Sequence, residues 1–164
     1  MLSSKLHKHL NHQERGAVAF GLMDGVATVL GVAIGVFAAG EGKVAVMAAS
    51  LAGGFADAFA NGVGTKVSQE VEGVIDIRTI NRSSIGAFLA TALMTVIQVL
   101  PIVFLPLELG LIVSALIGFS ILFCLGIFFM GNTNIAIKYV FMGLVAATFA
   151  FIIGKSVRIL LNVE

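Results

Sequence analysis

The chain has 164 residues, of which 59% are hydrophobic and 12% charged, and its mean hydropathy is +1.06. That much apolar surface exceeds what one soluble core of this length can hide, so a soluble domain is excluded and an all-α integral membrane protein is expected. The formal net charge of +1 by itself points neither to nucleic acid nor to acidic lipid; the partner expected from composition is the bilayer, not nucleic acid.

Residues 1–15, MLSSKLHKHLNHQER, are polar and basic and lack the apolar core and small-residue cleavage site of a secretory signal. They read as a cytoplasmic amphipathic segment. Ser3 or Ser4 is placed to cap it, and Lys5, His7, Lys8, His9 and His12 are suited to lipid headgroups. The rival reading is that the histidines collect metal. A span needs roughly 20 apolar residues, so residues 16–164 have room for about five transmembrane helices. Those expected cover residues 16–39, 44–67, 84–105, 107–129 and 139–161, with one sizeable cytoplasmic loop over 68–83.

The first two spans are rich in glycine and alanine. The last three are dominated by Leu, Ile, Val and Phe, and read as scaffold. With the N-terminus inside, Lys5, Lys8, Arg15, Lys66, Arg78, Arg82 and Lys138 lie on the cytoplasmic side, against Lys43, Lys155 and Arg158 outside. That bias predicts an N-in, C-out topology. The one cysteine, Cys124, permits no intrachain disulfide and is expected to be packed.

The first span contains Asp24 and the second Asp57. A carboxylate near the middle of a bilayer costs at least ~2.5–3.5 kcal/mol on the insertion scale, so two of them point to function. Helical spacing puts Asp24, Thr28, Gly31 and Gly35 on one stripe, and Asp57, Asn61, Gly64, Thr65 and Ser68 on another. Each is a ladder of oxygen groups among small residues. Asp24 lies eight residues in from position 16 and Asp57 ten from position 67, which at 1.5 Å per residue is roughly 12 and 15 Å deep. The acids are therefore expected at matching depth, where an antiparallel pair of helices, or two copies of it, brings them onto one path. Asp24, Asp57, Asn61 and Thr65 are the metal-ligand candidates, Asp24 and Asp57 also the proton-coupling pair. Glu70, Glu72 and Asp76 form a candidate cytoplasmic vestibule. The alternative for the acids is that they stay protonated as hydrogen-bond partners between helices.

Gly21 and Gly25, and again Gly31 and Gly35, have the G-x-x-x-G spacing of close helix packing. Ala58 with Gly62, and Ala146, Ala150 and Gly154, repeat it more weakly. The spacing fits tight packing within one chain or a homodimer seam. A third polar stripe holds Thr91, Thr95 and Gln98, while Ser114, Ser120 and Thr148 are expected to bond to backbone or to be packed.

GLMDGVATVLGVAIGV, residues 21–36, resembles the first-helix signature of the vacuolar iron transporter family, and LAGGFADAFANGVGTKVS, residues 51–68, resembles that family's second helix. The resemblance implies five spans, N-in and C-out, a homodimer, and exchange of cytosolic iron or manganese for protons along a path between the first and second helices of the two subunits. Asp24 matches the family's first-helix aspartate. The chain departs from the pattern at Asn61, which stands at the family's methionine, at Thr65, which stands at its glutamate, and at Asp57, where a small residue is usual. The family's cytoplasmic metal-binding domain has no counterpart.

The expected function is a dimeric, proton-coupled exporter of a divalent cation of Mn or Fe type, with no resident cofactor. An all-oxygen site favours Mn²⁺-like hardness. Its alternatives are a structural or assembly protein packed through glycine-rich helices, and a transporter of a small organic cation. An enzyme is not expected, because no histidine, serine or cysteine sits beside an acid within a span where a reacting group could be held. The location expected is a prokaryotic cell membrane, or a vacuolar-type membrane in a eukaryote.

Overall fold

The computed structural model describes residues 12–161. Within them the chain forms five α-helices: α1 His12–Ala38, α2 Lys43–Val71, α3 Ile77–Phe104, α4 Leu107–Met130 and α5 Thr133–Leu160. All five are long and apolar enough to cross a membrane. The amphipathic N-terminal segment expected over residues 1–15 lies mostly outside the described residues.

The sequence pattern places the spans but shortens them. A loop was expected over 68–83, yet α2 runs to Val71 and α3 starts at Ile77, so five residues join them. Two local features make the turn this tight. Gly73 takes φ of 77°, in the left-handed region that costs glycine least. Asp76 caps α3, accepting from the backbone N–H of Arg78 at 3.1 Å and of Thr79 at 3.2 Å, and from the Thr79 hydroxyl at 2.6 Å. At the opposite end of the bundle Pro101 lies inside α3. Lys43, at the start of α2, donates to the carbonyls of Val103 and Leu105 at 2.9 Å each, carbonyls left over where α3 ends.

α1 is the central helix and packs against the other four. Glycine makes this approach feasible, and most of it happens within the chain. A Cβ on Gly21 would sit 2.5 Å from the Ala87 carbonyl oxygen, and one on Gly25 2.9 Å from that of Thr91. Gly35 lies against Ala150 of α5, and a Cβ on Gly154 would collide with the Gly35 carbonyl. Gly21 and Gly25 are thus occupied by α3, so the G-x-x-x-G spacing there serves in-chain packing. Gly31 is looser, with Ala150 Cβ 4.0 Å from where a Cβ would be.

α3 fastens the two acid-bearing helices through hydroxyl and amide donors aimed at glycine carbonyls. Ser84 donates to Gly62 O of α2 at 2.7 Å, Thr91 to Gly21 O of α1 at 3.0 Å, and Gln98 to Gly25 O at 3.4 Å. In a bilayer, where lipid is as apolar as leucine, such bonds and close packing replace hydrophobic burial as the cohesive force. The outward faces carry large apolar side chains, among them Phe141, Phe149, Ile152 and Ile153 on α5.

Candidate functional site

Two acids and two neutral side chains form a rectangle between α1 and α2. The helices run antiparallel, so Asp24 and Thr28, one turn apart on α1, face Asn61 and Asp57, one turn apart on α2. Each acid meets the other helix's neutral group. Asn61 donates through Nδ2 to Asp24 Oδ2 at 2.7 Å, and the Thr28 hydroxyl donates to Asp57 Oδ2 at 2.8 Å. The acids occupy diagonal corners, close enough for the charge of Asp24 to act on Asp57. Both are half-buried.

A second layer fixes Asn61. Its Nδ2 also donates to Thr91 Oγ1 of α3 at 3.0 Å, and the Thr91 hydroxyl in turn reaches Gly21 O at 3.0 Å and Ala87 O at 3.1 Å. Asn61 is 7% exposed and Thr91 0%, so this support is buried within the bundle. Gly54, one turn beyond Ala58 on α2, abuts Thr95 so closely that any Cβ there would collide with it. Small residues therefore hold α2 against α3 at the level of the acids.

The expected ligand set is partly rearranged. Asp24 and Asp57 come together as their depths implied. Asn61 joins them and donates to Asp24, with both amide hydrogens engaged. Thr65 lies one turn past Asn61 and makes no hydrogen bond with the rectangle; Thr28 takes the hydroxyl's place there. Among the described residues no three His, Cys, Asp or Glu side chains gather as a metal cage. One chain thus offers a dication two carboxylates and neutral oxygens only.

The vestibule residues do not form a cluster. Glu72 accepts from Ser68 at 3.0 Å along the end of α2, Glu70 is exposed, and Asp76 is engaged as the α3 cap. Its cap bonds, led by the Thr79 hydroxyl and followed by the Arg78 N–H, hold the Asp76 carboxyl below the usual aspartate range.

The acid the sequence reading passed over is Glu14. It is 3% exposed at the start of α1, with Arg82 Nη1 of α3 3.8 Å from its Oε1. Its signal was faint, because a Glu beside Arg15 at the margin of an apolar run looks like an ordinary solvated charge. Cys124 is exposed on α4 rather than packed. Ser120 and Thr148 donate to carbonyls of their own helices, Leu116 at 2.7 Å and Leu144 at 2.8 Å.

No family model, curated protein or solved structure gives a match to this chain.

Proposed function

We propose that the chain is a proton-coupled transporter of a divalent, Mn²⁺-like cation, with the Asp24–Asp57 pair as the site where metal and proton compete. The observation that carries this reading is the pairing itself: two carboxyls from different helices, half-exposed and within reach of one another, deep in segments built to cross a membrane. A carboxylate binds a dication in its deprotonated form, so metal ion and proton compete for the same oxygens. Oxygen ligands without thiolate, thioether or imidazole favour hard ions, Mn²⁺ or Mg²⁺ over softer ones, with Fe²⁺ between. The likeness of residues 21–36 and 51–68 to vacuolar iron transporters supports the same reading, and from it comes the direction, out of the cytoplasm.

A second copy of the chain would complete the site. Two carboxylates are few for a dication, and both are only partly buried within one chain. Beside the rectangle α2 exposes Ala48, Ala52, Ala56, Ala60 and Gly64, small residues at every fourth position. This stripe, rather than the α1 glycines, is the proposed homodimer seam. Facing it with a second stripe would bring two rectangles together and shield four carboxyls from lipid.

One observation favours the structural alternative: each acid already has a donor with no cation present. Proteoliposome flux separates the two. The transport reading expects Mn²⁺ movement coupled to counter-movement of protons, abolished in Asp24→Asn and in Asp57→Asn although both remain folded. If neither Mn²⁺, Fe²⁺ nor Mg²⁺ moves protons, the transport of metal is refuted, and proton movement driven by a small organic cation alone would reassign the substrate.

A further inference from the structure

Five buried side-chain atoms among the described residues have no hydrogen-bond partner in the chain: Ser50 Oγ, Gln69 Oε1, Ser83 Oγ, Gln98 Oε1 and Ser114 Oγ. Three of them, on three different helices, belong to one level of the bundle. Ser50 on α2 lies between Gly54, which abuts Thr95 of α3, and Val46, which packs in one apolar cluster with Ile102 of α3. It therefore stands at the turn of α3 that holds Gln98. Ser114 on α4 lies between Gly118, where a Cβ would be 2.9 Å from Gln98 Oε1, and Gly110, where one would be 2.8 Å from Ile102 Cα. Both serines thus meet the same turn of α3. Ser50 and Gln98 are 0% exposed and Ser114 1%. One turn farther from the acids, Ala33, Val46, Ile102 and Leu111 form a buried apolar layer drawn from four helices.

Elsewhere in the bundle hydroxyls satisfy themselves locally. Thr91, Thr95, Ser120 and Thr148 each reach a carbonyl one turn back on their own helix. Ser50 and Ser114 do not. Gln98 directs its Nε2 to Gly25 O at 3.4 Å and leaves Oε1 over. A buried polar group left dry bears the full cost of its desolvation. Water relieves three such groups together, because it both donates and accepts and typically makes about three hydrogen bonds at a buried site. The serine hydroxyls can do either in return, and Gln98 Oε1 accepts. The three residues supply no carboxylate, so a bare dication has no counter-charge among them.

We propose that Ser50, Gln98 and Ser114 bind water, forming an enclosed hydrated chamber between the acid rectangle and the apolar layer. The chamber follows from the packing alone, and its use rests on the transport reading. There, a dication released from the acids regains water in the chamber, and the layer of Ala33, Val46, Ile102 and Leu111 is the gate that closes it.

Solid-state NMR of the full chain in lipid bilayers, with polarisation transferred from water, reads this hydration without metal or flux. The Cβ signals of Ser50 and Ser114 are expected to gain water polarisation several-fold faster than the methyls of Val46 and Ile102 one turn away. Build-up no faster than at those methyls overturns the chamber. Denaturation midpoints in detergent give a second reading whose sign differs between a wet and a dry level. If Ser114 holds water, Ser114→Ala removes a satisfied group and lowers the midpoint. If the hydroxyl is dry, the same change removes an unsatisfied one and the midpoint rises. A rise, or a shift no larger than that of Ser120→Ala, overturns the assignment of Ser114. Should Ser114→Ala not fold, the wild-type spectra still decide. Hydration without Mn²⁺ flux upholds the chamber and removes its use in transport, whereas flux with a dry level refutes the chamber alone.

Discussion

In the α1–α3 part of the bundle polar side chains reach across to other helices, although Thr95 also donates to the Thr91 carbonyl of its own helix at 3.0 Å. The bonds made by those of the α4–α5 part run only backwards along their own helix. On α4 and α5, Ser120 and Thr148 each donate to a carbonyl one turn back on their own helix and leave nothing to recognise a neighbour. On α1 to α3, Thr28, Asn61, Ser84, Thr91 and Gln98 all bond across to another helix. A hydroxyl in a membrane helix is thus uninformative by type. What separates scaffold from site is whether small residues let a second helix close enough to receive the bond.

The largest effects should come from closing that approach. Gly21→Leu puts a side chain where the Ala87 carbonyl lies 2.5 Å from a Cβ, and should cost about 3 kcal/mol or more, lowering the yield of folded protein in detergent. Gly31→Leu, with 4.0 Å to Ala150 Cβ, should fold nearly as wild type. Equal losses at both positions would mean that in-chain packing is not what the glycines serve.

Assembly separates the halves next. Ala56→Leu or Ala60→Leu, on the exposed stripe of α2, should leave the chain folded but reduce crosslinking between copies in membranes by roughly tenfold or more, the scale of a ~1.4 kcal/mol loss at a close-packed seam. Gly31→Leu should leave crosslinking unchanged. The opposite pattern would return the seam to α1.

Removing polar groups sharpens the contrast more gently. Asn61→Ala strips Asp24 of its donor and Thr91→Val strips Asn61 of its acceptor, and each should cost about 0.6–2 kcal/mol of thermal stability. Ser120→Ala and Thr148→Ala should shift it by less than about 0.5 kcal/mol. Denaturation midpoints in one detergent would show whether the two pairs differ.

The smallest effect belongs to the α3 cap. The Asp76 carboxyl is held below its ordinary value of 3.8, so the stability it contributes is fully present above that value and is lost as pH falls through the lower folded-state value. Asp76→Asn keeps a capping oxygen without the charge. The stability difference between wild type and this variant should therefore shrink on acidification below 3.8, and a difference that is flat with pH would exclude the charge as the source.

Apolar runs separated by short polar joints made all five spans legible in the sequence, and the cost of an intramembrane carboxylate marked Asp24 and Asp57. Helical periodicity also grouped Thr28 with Asp24 and Asn61 with Asp57. It could not say which of those neighbours would face which acid, because that depends on the register between α1 and α2. That register makes Asn61 a donor to Asp24 and puts Thr28, one turn from Asp24, rather than Thr65 against Asp57. The α1 glycines and the α2 alanines have the same four-residue spacing, and only the position of α3 decides which stripe is covered. Glu14 was hidden for a similar reason: it meets Arg82 of α3, which no local pattern connects to it.

The central claim is that the paired carboxyls bind a hard dication in exchange for a proton. Its most direct test is Mn²⁺ binding to the purified chain, measured from acid to neutral pH. The wild type should bind saturably and gain affinity as pH rises, because deprotonation frees the ligands. Asp24→Asn and Asp57→Asn should each lose at least about tenfold, the equivalent of ~1.4 kcal/mol. Mn²⁺ binding that is absent from the wild type, or equal in all three proteins, would contradict the account.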